Sequence, residues 1–184
     1  MIGVIAGVVL GFQAFPKPMP PIQMLDATGI SRTVPAKSPA TVLVFVGREC
    51  PIANRMAPEL GRIVSTYKTK SVSFFFVYAD PGQTNRQIAQ HIKDFKLGAP
   101  GIYDSQHRLV KAVGATVTPQ AAILSPQGKL LYRGRINDLF LEHGRVRKTP
   151  KNEDLKRALD EILAGKPISV KETPALGCSI PPLG

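Results

Sequence analysis

The chain has 184 residues, of which 43% are hydrophobic and 20% charged, enough apolar material for one domain with a sizeable core. These fractions exclude a wholly disordered chain, and two cysteines are too few for a multi-disulfide mini-protein or a four-cysteine zinc site. Lys and Arg outnumber Asp and Glu by 24 to 13, a formal charge of +11. This charge favours loose association with anionic surfaces, but the basic residues are scattered and predict no specific nucleic-acid binding.

The first twelve residues are apolar and uncharged. They are shorter than the roughly 20 residues that a membrane-spanning helix needs, and they match the apolar part of a signal peptide. A Pro-rich stretch, residues 16–21, follows as an extended linker. We therefore predict an exported protein, periplasmic or otherwise extracytoplasmic, whose residues 1–20 are a signal-like segment and linker that is either cleaved or retained as a tether. The alternative is an apolar N-terminal strand.

The next part of the chain alternates strand and helix patterns. Residues 22–30 predict a hairpin around an Asp-x-x-Gly turn, and residues 41–46 form a β-branched run typical of a strand buried on both faces. Apolar residues at helical spacing predict a helix over residues 51–68. A second buried strand (71–80) and a helix capped by Thr84 (84–95) follow.

The remaining elements complete an α/β pattern. After a short apolar segment (109–113) come a predicted hairpin (120–136), a basic insertion (137–151) and an amphipathic helix (152–164). This alternation predicts an α/β sandwich around a mixed sheet, with a domain over residues 21–166. Residues 167–184 have no helical period, and we expect an extended tail without local structure that contains Cys178.

Cys50 lies between a predicted buried strand and a predicted helix. The helix dipole and free backbone N–H groups at such a junction stabilise a thiolate and lower its pKa, which favours thiol chemistry. Arg48 and Arg55 would add to this effect and Glu49 would oppose it. The alternative is a buried, unreactive cysteine.

Three segments resemble the thioredoxin-like superfamily, in particular its redoxin branch, which includes alkyl hydroperoxide reductase/thiol-specific antioxidant proteins. They are the cysteine segment (44–58) with Pro58 eight residues after Cys50, the Val-Thr-Pro segment (117–119), and the N-terminal hairpin (22–29). The resemblance implies a three-layer α/β/α sandwich with an added N-terminal β-hairpin. It implies a thiol–disulfide oxidoreductase or thiol-dependent antioxidant without a cofactor, acting on protein or small-molecule thiols, disulfides or peroxide.

The resemblance also implies roles for individual residues. Cys50 would be the nucleophile, and a cis Pro119 would face its sulfur and shape the substrate groove. The groove would be formed with Pro51, Thr118, Arg48 and Arg55.

The chain departs from the family pattern at four positions. Ala53 stands where a Cys-x-x-Cys pair has its second cysteine, and Val44 replaces the buried acid of thioredoxins. Gly47 stands where peroxidases of this fold carry Thr or Ser, and Leu43 stands where they carry Pro. With no second cysteine nearby, we predict that Cys178 resolves Cys50, within one chain or across a dimer. The alternative is that Cys178 merely packs against apolar neighbours.

Two other functions stay open. One is a redox-inert binding domain, in which the basic insertion or Arg133 and Arg135 would contact an anionic partner. We expect instead that both arginines are solvated, with Tyr132 facing inward. The other is a copper or zinc carrier using both cysteines and a histidine, although Asn54 occupies the second position of a Cys-x-x-x-Cys pair. The three histidines (91, 107 and 143) are far apart, and we expect them on the surface or in loops.

Overall fold

A computed structural model describes residues 17–142 and 145–183. The elements in chain order are β1 (Ile22–Leu25), β2 (Ser31–Val34), β3 (Thr41–Phe45), α1 (Pro51–Lys68), β4 (Ser73–Tyr78), α2 (Asn85–Asp94), β5 (Gly101–Tyr103), α3 (Arg108–Val113), β6 (Val117–Thr118), β7 (Gln120–Leu124), β8 (Leu130–Gly134), β9 (Phe140–Glu142), β10 (Arg145–Val146), α4 (Asp154–Leu163) and β11 (Cys178–Ser179).

The central sheet has five strands in the order β5-β4-β3-β7-β8. Strands β3, β4 and β5 are parallel, whereas β7 and β8 are antiparallel to their neighbours. Every residue of β3 and of β7 is buried, because helices cover both faces of the sheet at its centre. The predicted mixed sheet is therefore confirmed, and β5 is a short edge strand that the sequence analysis did not identify.

Helices on the two faces make the predicted three-layer sandwich. On one face, Val44 and Phe76 of the sheet belong to the same core cluster as Leu60 of α1 and Leu159 of α4. On the other face, Leu43 and Phe75 of the sheet share a core cluster with residues of α3 (Leu109, Val110 and Val113). Alternate residues of each strand point to opposite faces, so each strand contributes to both clusters.

The N-terminal hairpin is also confirmed, since β1 pairs antiparallel with β2. The buried carboxylate of Asp26 closes its turn by accepting bonds from the backbone N–H of Thr28 (2.9 Å) and Ile30 (3.1 Å), and from Arg32 Nε (2.8 Å). A bridge from Asp26 to Ile102 of β5 attaches the hairpin to the edge of the sheet.

The predicted helix limits agree closely with the structure. Helix α1 covers residues 51–68 as predicted, with Pro51 at its first position. Helix α2 begins after Thr84, whose side chain forms a reciprocal capping box with Gln87. The basic insertion contains the short antiparallel pair β9 and β10.

The tail beyond α4 is not free of local structure, contrary to expectation. The backbone of Arg133 in β8 bonds to Lys171 (3.0 Å) and Thr173 (3.1 Å), and its guanidinium pairs with Glu172. Further along, β11 pairs antiparallel with β6. The sequence pattern did not predict these contacts of the tail with β8 and β6, because both strands are far from the tail in sequence.

Two expectations about charged and polar side chains are wrong. Arg133 and Arg135 are not solvated: Arg133 binds Glu172, and Arg135 Nε lies 2.6 Å from the buried carboxylate of Asp154. His91 is buried within α2 rather than on the surface or in a loop, whereas His107 lies in the loop before α3 as expected and is buried there. Tyr132 faces the core as predicted.

The predicted signal-like segment, residues 1–12, lies outside the described residues, as does His143. In the part of the chain that the structure describes, no helix combines the length and apolar character needed to cross a membrane.

Candidate functional site

Cys50 is the N-cap residue of α1, directly after the loop that leaves β3. Its carbonyl accepts the first helical bond, from Asn54 N (3.0 Å), while its own backbone remains extended. The residue is 4% exposed, so the sulfur is covered rather than presented on the surface. This is the position that the strand-to-helix junction predicts for a stabilised thiolate.

The C-terminal tail brings Cys178 to the same place. Cys178 is paired in register with Thr118 across β11 and β6. Cys178 is thereby a neighbour of Cys50, close enough to change the acidity of its thiol. Both cysteines are present as free thiols. Residues 128 positions apart in sequence therefore meet because of the tail's pairing with β6.

The two thiols differ in their acidity. Burial tends to raise the pKa of Cys50, but donors from Cys178, from the backbone of Ala53 and from Thr118 outweigh it, and the pKa is lowered. Burial raises the pKa of Cys178, and the neighbouring Cys50 and Asp80 raise it further. The arrangement favours a Cys50 thiolate beside a protonated Cys178.

Thr118 contacts both cysteines. Its carbonyl oxygen lies 3.0 Å from Cys50 Sγ, where it accepts a bond from the neutral thiol. Its hydroxyl donates to the carbonyl of Cys178 (3.4 Å). The peptide bond from Thr118 to Pro119 is cis, as the resemblance implies.

An open cleft of about 550 Å³ lies beside the two sulfurs. Of the predicted groove residues, Thr118 and Arg48 line it together with both cysteines. The complete lining is Gly47, Arg48, Glu49, Cys50, Asp80, Pro81, Gly82, Gln83, Gln87, Thr118 and Cys178.

The other predicted groove residues lie elsewhere. Pro51 is exposed at the start of α1, and Arg55 holds its guanidinium 5.8 Å from the centre of the Phe140 ring. Pro119 lines a separate small pocket with Leu176.

Asp80 is a cleft residue that the sequence analysis missed. It follows β4, and its Oδ2 accepts a hydrogen bond from Gln83 Nε2 (2.9 Å). Burial raises the pKa of this carboxyl group, with a further increase from Glu49, against opposing effects of Gln83, Arg48 and His107. The position of Asp80 directly after a predicted strand could have indicated this role. The carboxyl ends of neighbouring parallel strands, here β3 and β4, form the usual ligand crevice of an α/β sheet.

A partly buried hydrogen-bond network links the cysteine loop to α2 and β4. Asn54 Nδ2 donates to the carbonyl of Arg48 (2.8 Å), and its Oδ1 lies 2.9 Å from His91 Nε2. The other ring nitrogen of His91 bonds to the hydroxyl of Tyr78 (2.8 Å). Burial and the nearby Arg48 lower the pKa of His91, which favours the neutral imidazole. The network holds the loop of Arg48 against the sheet.

Metal-binding groups are sparse in the described parts of the chain. Within residues 17–142 and 145–183, no three His, Cys, Asp or Glu side chains form a cluster that could hold a metal ion.

Comparisons with solved structures agree with this architecture. A conserved protein from Geobacillus kaustophilus superposes with a TM-score of 0.80 and 28% identity, covering 93% of this chain and 94% of that one. A protein from Sinorhizobium meliloti superposes with a TM-score of 0.79 and 22% identity, covering 92% and 95%.

A third similar structure is that of a redox protein. It is a secreted disulfide oxidoreductase of Mycobacterium tuberculosis, homologous to E. coli DsbE, with a TM-score of 0.53, 13% identity and coverage of 78% of this chain and 95% of that one. No protein-family model and no curated sequence matches the chain. The sheet order, the cysteine at the start of α1, the cis proline and these structural likenesses together establish that the chain has the thioredoxin-like fold.

Proposed function

We propose that this protein is a thiol–disulfide oxidoreductase in which Cys50 is the nucleophile and Cys178 the resolving cysteine of the same chain. The observation that carries the proposal is that both cysteines line one open cleft and that both contact Thr118. A structural cysteine pair would have no need of a cleft, nor of a lowered pKa at one thiol and a raised pKa at the other.

The reaction proceeds in two exchanges. The Cys50 thiolate attacks one sulfur of a substrate disulfide, forming a mixed disulfide and releasing the first substrate sulfur as a thiolate. Cys178 then loses its proton and attacks Cys50, which forms the Cys50–Cys178 disulfide and releases the second substrate thiolate. The substrate gains two electrons and the protein loses two, and the reverse sequence oxidises a substrate dithiol.

Substrates of the proposed reaction are disulfides or thiols of proteins or small molecules. The structurally similar secreted protein of M. tuberculosis is described as a disulfide oxidoreductase, which supports this substrate class. Gly47 stands where the peroxidases of this fold carry a hydroxyl side chain, so we expect peroxide to react more slowly than disulfides.

A chromogenic disulfide tests the proposal. Reduced protein mixed with one equivalent of 5,5′-dithiobis-(2-nitrobenzoic acid) should release both thionitrobenzoate groups and yield a chain with a Cys50–Cys178 disulfide, identified by non-reducing peptide mass spectrometry. Cys178→Ser should release a single group and retain the other on Cys50. Release of one group by the natural chain, or of none, would overturn the proposal.

We also propose that the protein acts outside the cytoplasm. The apolar, uncharged segment 1–12 supports export, and the M. tuberculosis relative in structure is described as secreted. N-terminal sequencing of protein from its native host should find a mature chain that begins near Phe15, and an intact Met1 would reject cleavage.

A further inference from the structure

Asp80 shares the cleft with both cysteines but has no part in the reaction described above. Three groups surround Gly47 so closely that an added Cβ would lie 3.2 Å from Asp80 Oδ2, 3.2 Å from Thr118 Oγ1 and 3.3 Å from Cys50 Cβ. The carboxylate is therefore next to the residues that hold the two sulfurs. The absence of a side chain at Gly47 leaves the space between them open.

Cys178 needs a proton acceptor. Its thiol must be deprotonated before it can attack the mixed disulfide, because the thiolate is the nucleophile in disulfide exchange. Its surroundings oppose this step, since burial raises the pKa of Cys178 and the charge of Asp80 raises it further. In the mixed disulfide Cys50 carries no charge and cannot take the proton.

We infer that Asp80 is the proton acceptor for Cys178 during resolution of the mixed disulfide; this inference rests on the proposed function. The Cys178 S–H bond breaks and its proton passes to the Asp80 carboxylate, directly or through a water molecule in the cleft. The Cys178 thiolate attacks Cys50 Sγ, the Cys50–Cys178 bond forms, and the substrate thiolate leaves. Asp80 then returns the proton to solvent through the open cleft.

The groups around Asp80 suit this role. Arg48 and Glu49 face it from the loop before α1, His107 from the loop before α3, and Gln83 from the loop before α2. Burial raises the pKa of the carboxyl above its ordinary value, which makes it a stronger base than a solvated aspartate. Other carboxylates lack this placement: Glu49 lines the same cleft, but its side chain is 92% exposed.

The alternative is that Asp80 acts on Cys178 only through its negative charge. The two roles predict opposite effects of Asp80→Asn. Removal of a negative charge makes the Cys178 thiol more acidic, which would accelerate resolution. Removal of a proton acceptor slows it, on the order of a hundredfold.

Stopped-flow absorbance with one equivalent of the chromogenic disulfide separates the two exchanges. The first release depends on reagent concentration, whereas the second is intramolecular and reports resolution by Cys178. At pH 7 we expect Asp80→Asn to slow the second release on the order of a hundredfold and the first release much less. Asp80→Glu, which restores a carboxylate, should recover most of the second rate. Raising the pH should reduce the deficit, because hydroxide then ionises Cys178 without the carboxylate.

Asp94→Asn, on the exposed side of α2, removes the same charge away from the cleft and should leave both phases unchanged. An Asp80→Asn protein whose second phase is unchanged or faster would overturn the role of Asp80 and leave the proposed function intact. Equal slowing of both phases would also overturn it. A natural chain with no second release would overturn the proposed function as well.

Discussion

The backbone of Gly177 packs directly against the carbonyl oxygen of Thr118, where a Cβ would overlap that oxygen. This contact places the following residue, Cys178, in register with Thr118 and beside Cys50. A glycine before the cysteine is therefore a steric requirement for the tail to reach the cleft. Because the obstacle is backbone rather than a flexible side chain, it cannot rotate away.

Gly177→Ala should detach this part of the tail. We expect the overlap to cost about 1–3 kcal/mol, and the rate of closing the Cys50–Cys178 disulfide to fall by about tenfold or more. The second release of thionitrobenzoate measures that rate. Ser179→Ala, at an exposed position in the same short strand, should close at the natural rate. Normal closure in Gly177→Ala would contradict the packing requirement.

Loss of the Cys178 thiol should expose Cys50 to oxidation. In Cys178→Ser, mild peroxide treatment should convert Cys50 to sulfenic and then sulfinic acid, because no second thiol can trap the sulfenic acid as a disulfide. The natural chain should form the Cys50–Cys178 disulfide under the same treatment. Peptide mass spectrometry distinguishes added oxygen from the loss of two hydrogens, and protection of Cys50 in the variant would argue against resolution by Cys178.

The effect of Cys178 on the acidity of Cys50 should be visible in the titration of Cys50. The Cys178 thiol is among the donors that lower the pKa of Cys50, so Cys178→Ala should raise that pKa. Cys178→Ser retains a donor hydroxyl and should leave the pKa of Cys50 below its value in the alanine variant. The pH dependence of the alkylation rate gives the pKa of Cys50 in each variant, even if burial slows the reaction. Equal pKa values in the two variants would contradict a donor role for the side chain at position 178.

Asp26 should make the stability of the protein depend on pH in acid. Hydrogen bonds from Thr28, Arg32 and Ile30 outweigh the opposing effect of burial and lower the pKa of Asp26 to about 2. A lowered folded-state pKa stabilises the protein above the unfolded-state value, and this contribution of about 2 kcal/mol is lost between about pH 4 and pH 2.

Asp26→Asn should therefore be less stable than the natural chain by about 2 kcal/mol at pH 6, with a difference that shrinks toward pH 2. Denaturant unfolding at several pH values measures it. Glu142→Gln breaks an ion pair with Arg145 that is exposed on both sides, and should cost less than about 1 kcal/mol. An Asp26→Asn deficit that does not change with pH would show that the carboxylate charge is not its cause.

Asn54 should contribute to both stability and the position of the cysteine loop. Asn54→Leu leaves His91 Nε2 and the carbonyl of Arg48 without their partner, which costs about 1–3 kcal/mol for a buried group such as His91 and less for the partly buried carbonyl. We expect a lower unfolding midpoint and a slower first release of thionitrobenzoate. Ser65→Ala, at an exposed position on the same helix, serves as the control. Equal unfolding midpoints for the two variants would contradict a stabilising role of the network.

The local pattern of the sequence was sufficient to predict the long helices and the central strands, and to place Cys50 where a helix begins. The β-branched run of β3 and the helical spacing after Pro51 are properties of consecutive residues, so they place Cys50 at a strand-to-helix junction without any tertiary information. The turn of the hairpin before β3 and the N-cap of α2 are likewise determined by residues close together in the sequence. For this reason the predicted limits of α1 agree with the structure to the residue.

Only the tertiary structure decided which distant groups surround that cysteine. The tail looked unstructured because its partners, Arg133 and Thr118, lie in other parts of the chain, and a sequence pattern carries no record of such pairing. His91 looked like a surface residue, yet Tyr78 and Asn54 satisfy both of its nitrogens and allow its burial. Asp80 reaches the cleft because β3 and β4 are parallel neighbours whose carboxyl ends meet at one edge of the sheet. Burial and polar pairing depend on packing in three dimensions. The periodicity of the sequence shows which face of a single helix or strand is apolar, but it does not show which distant residues pack against that face.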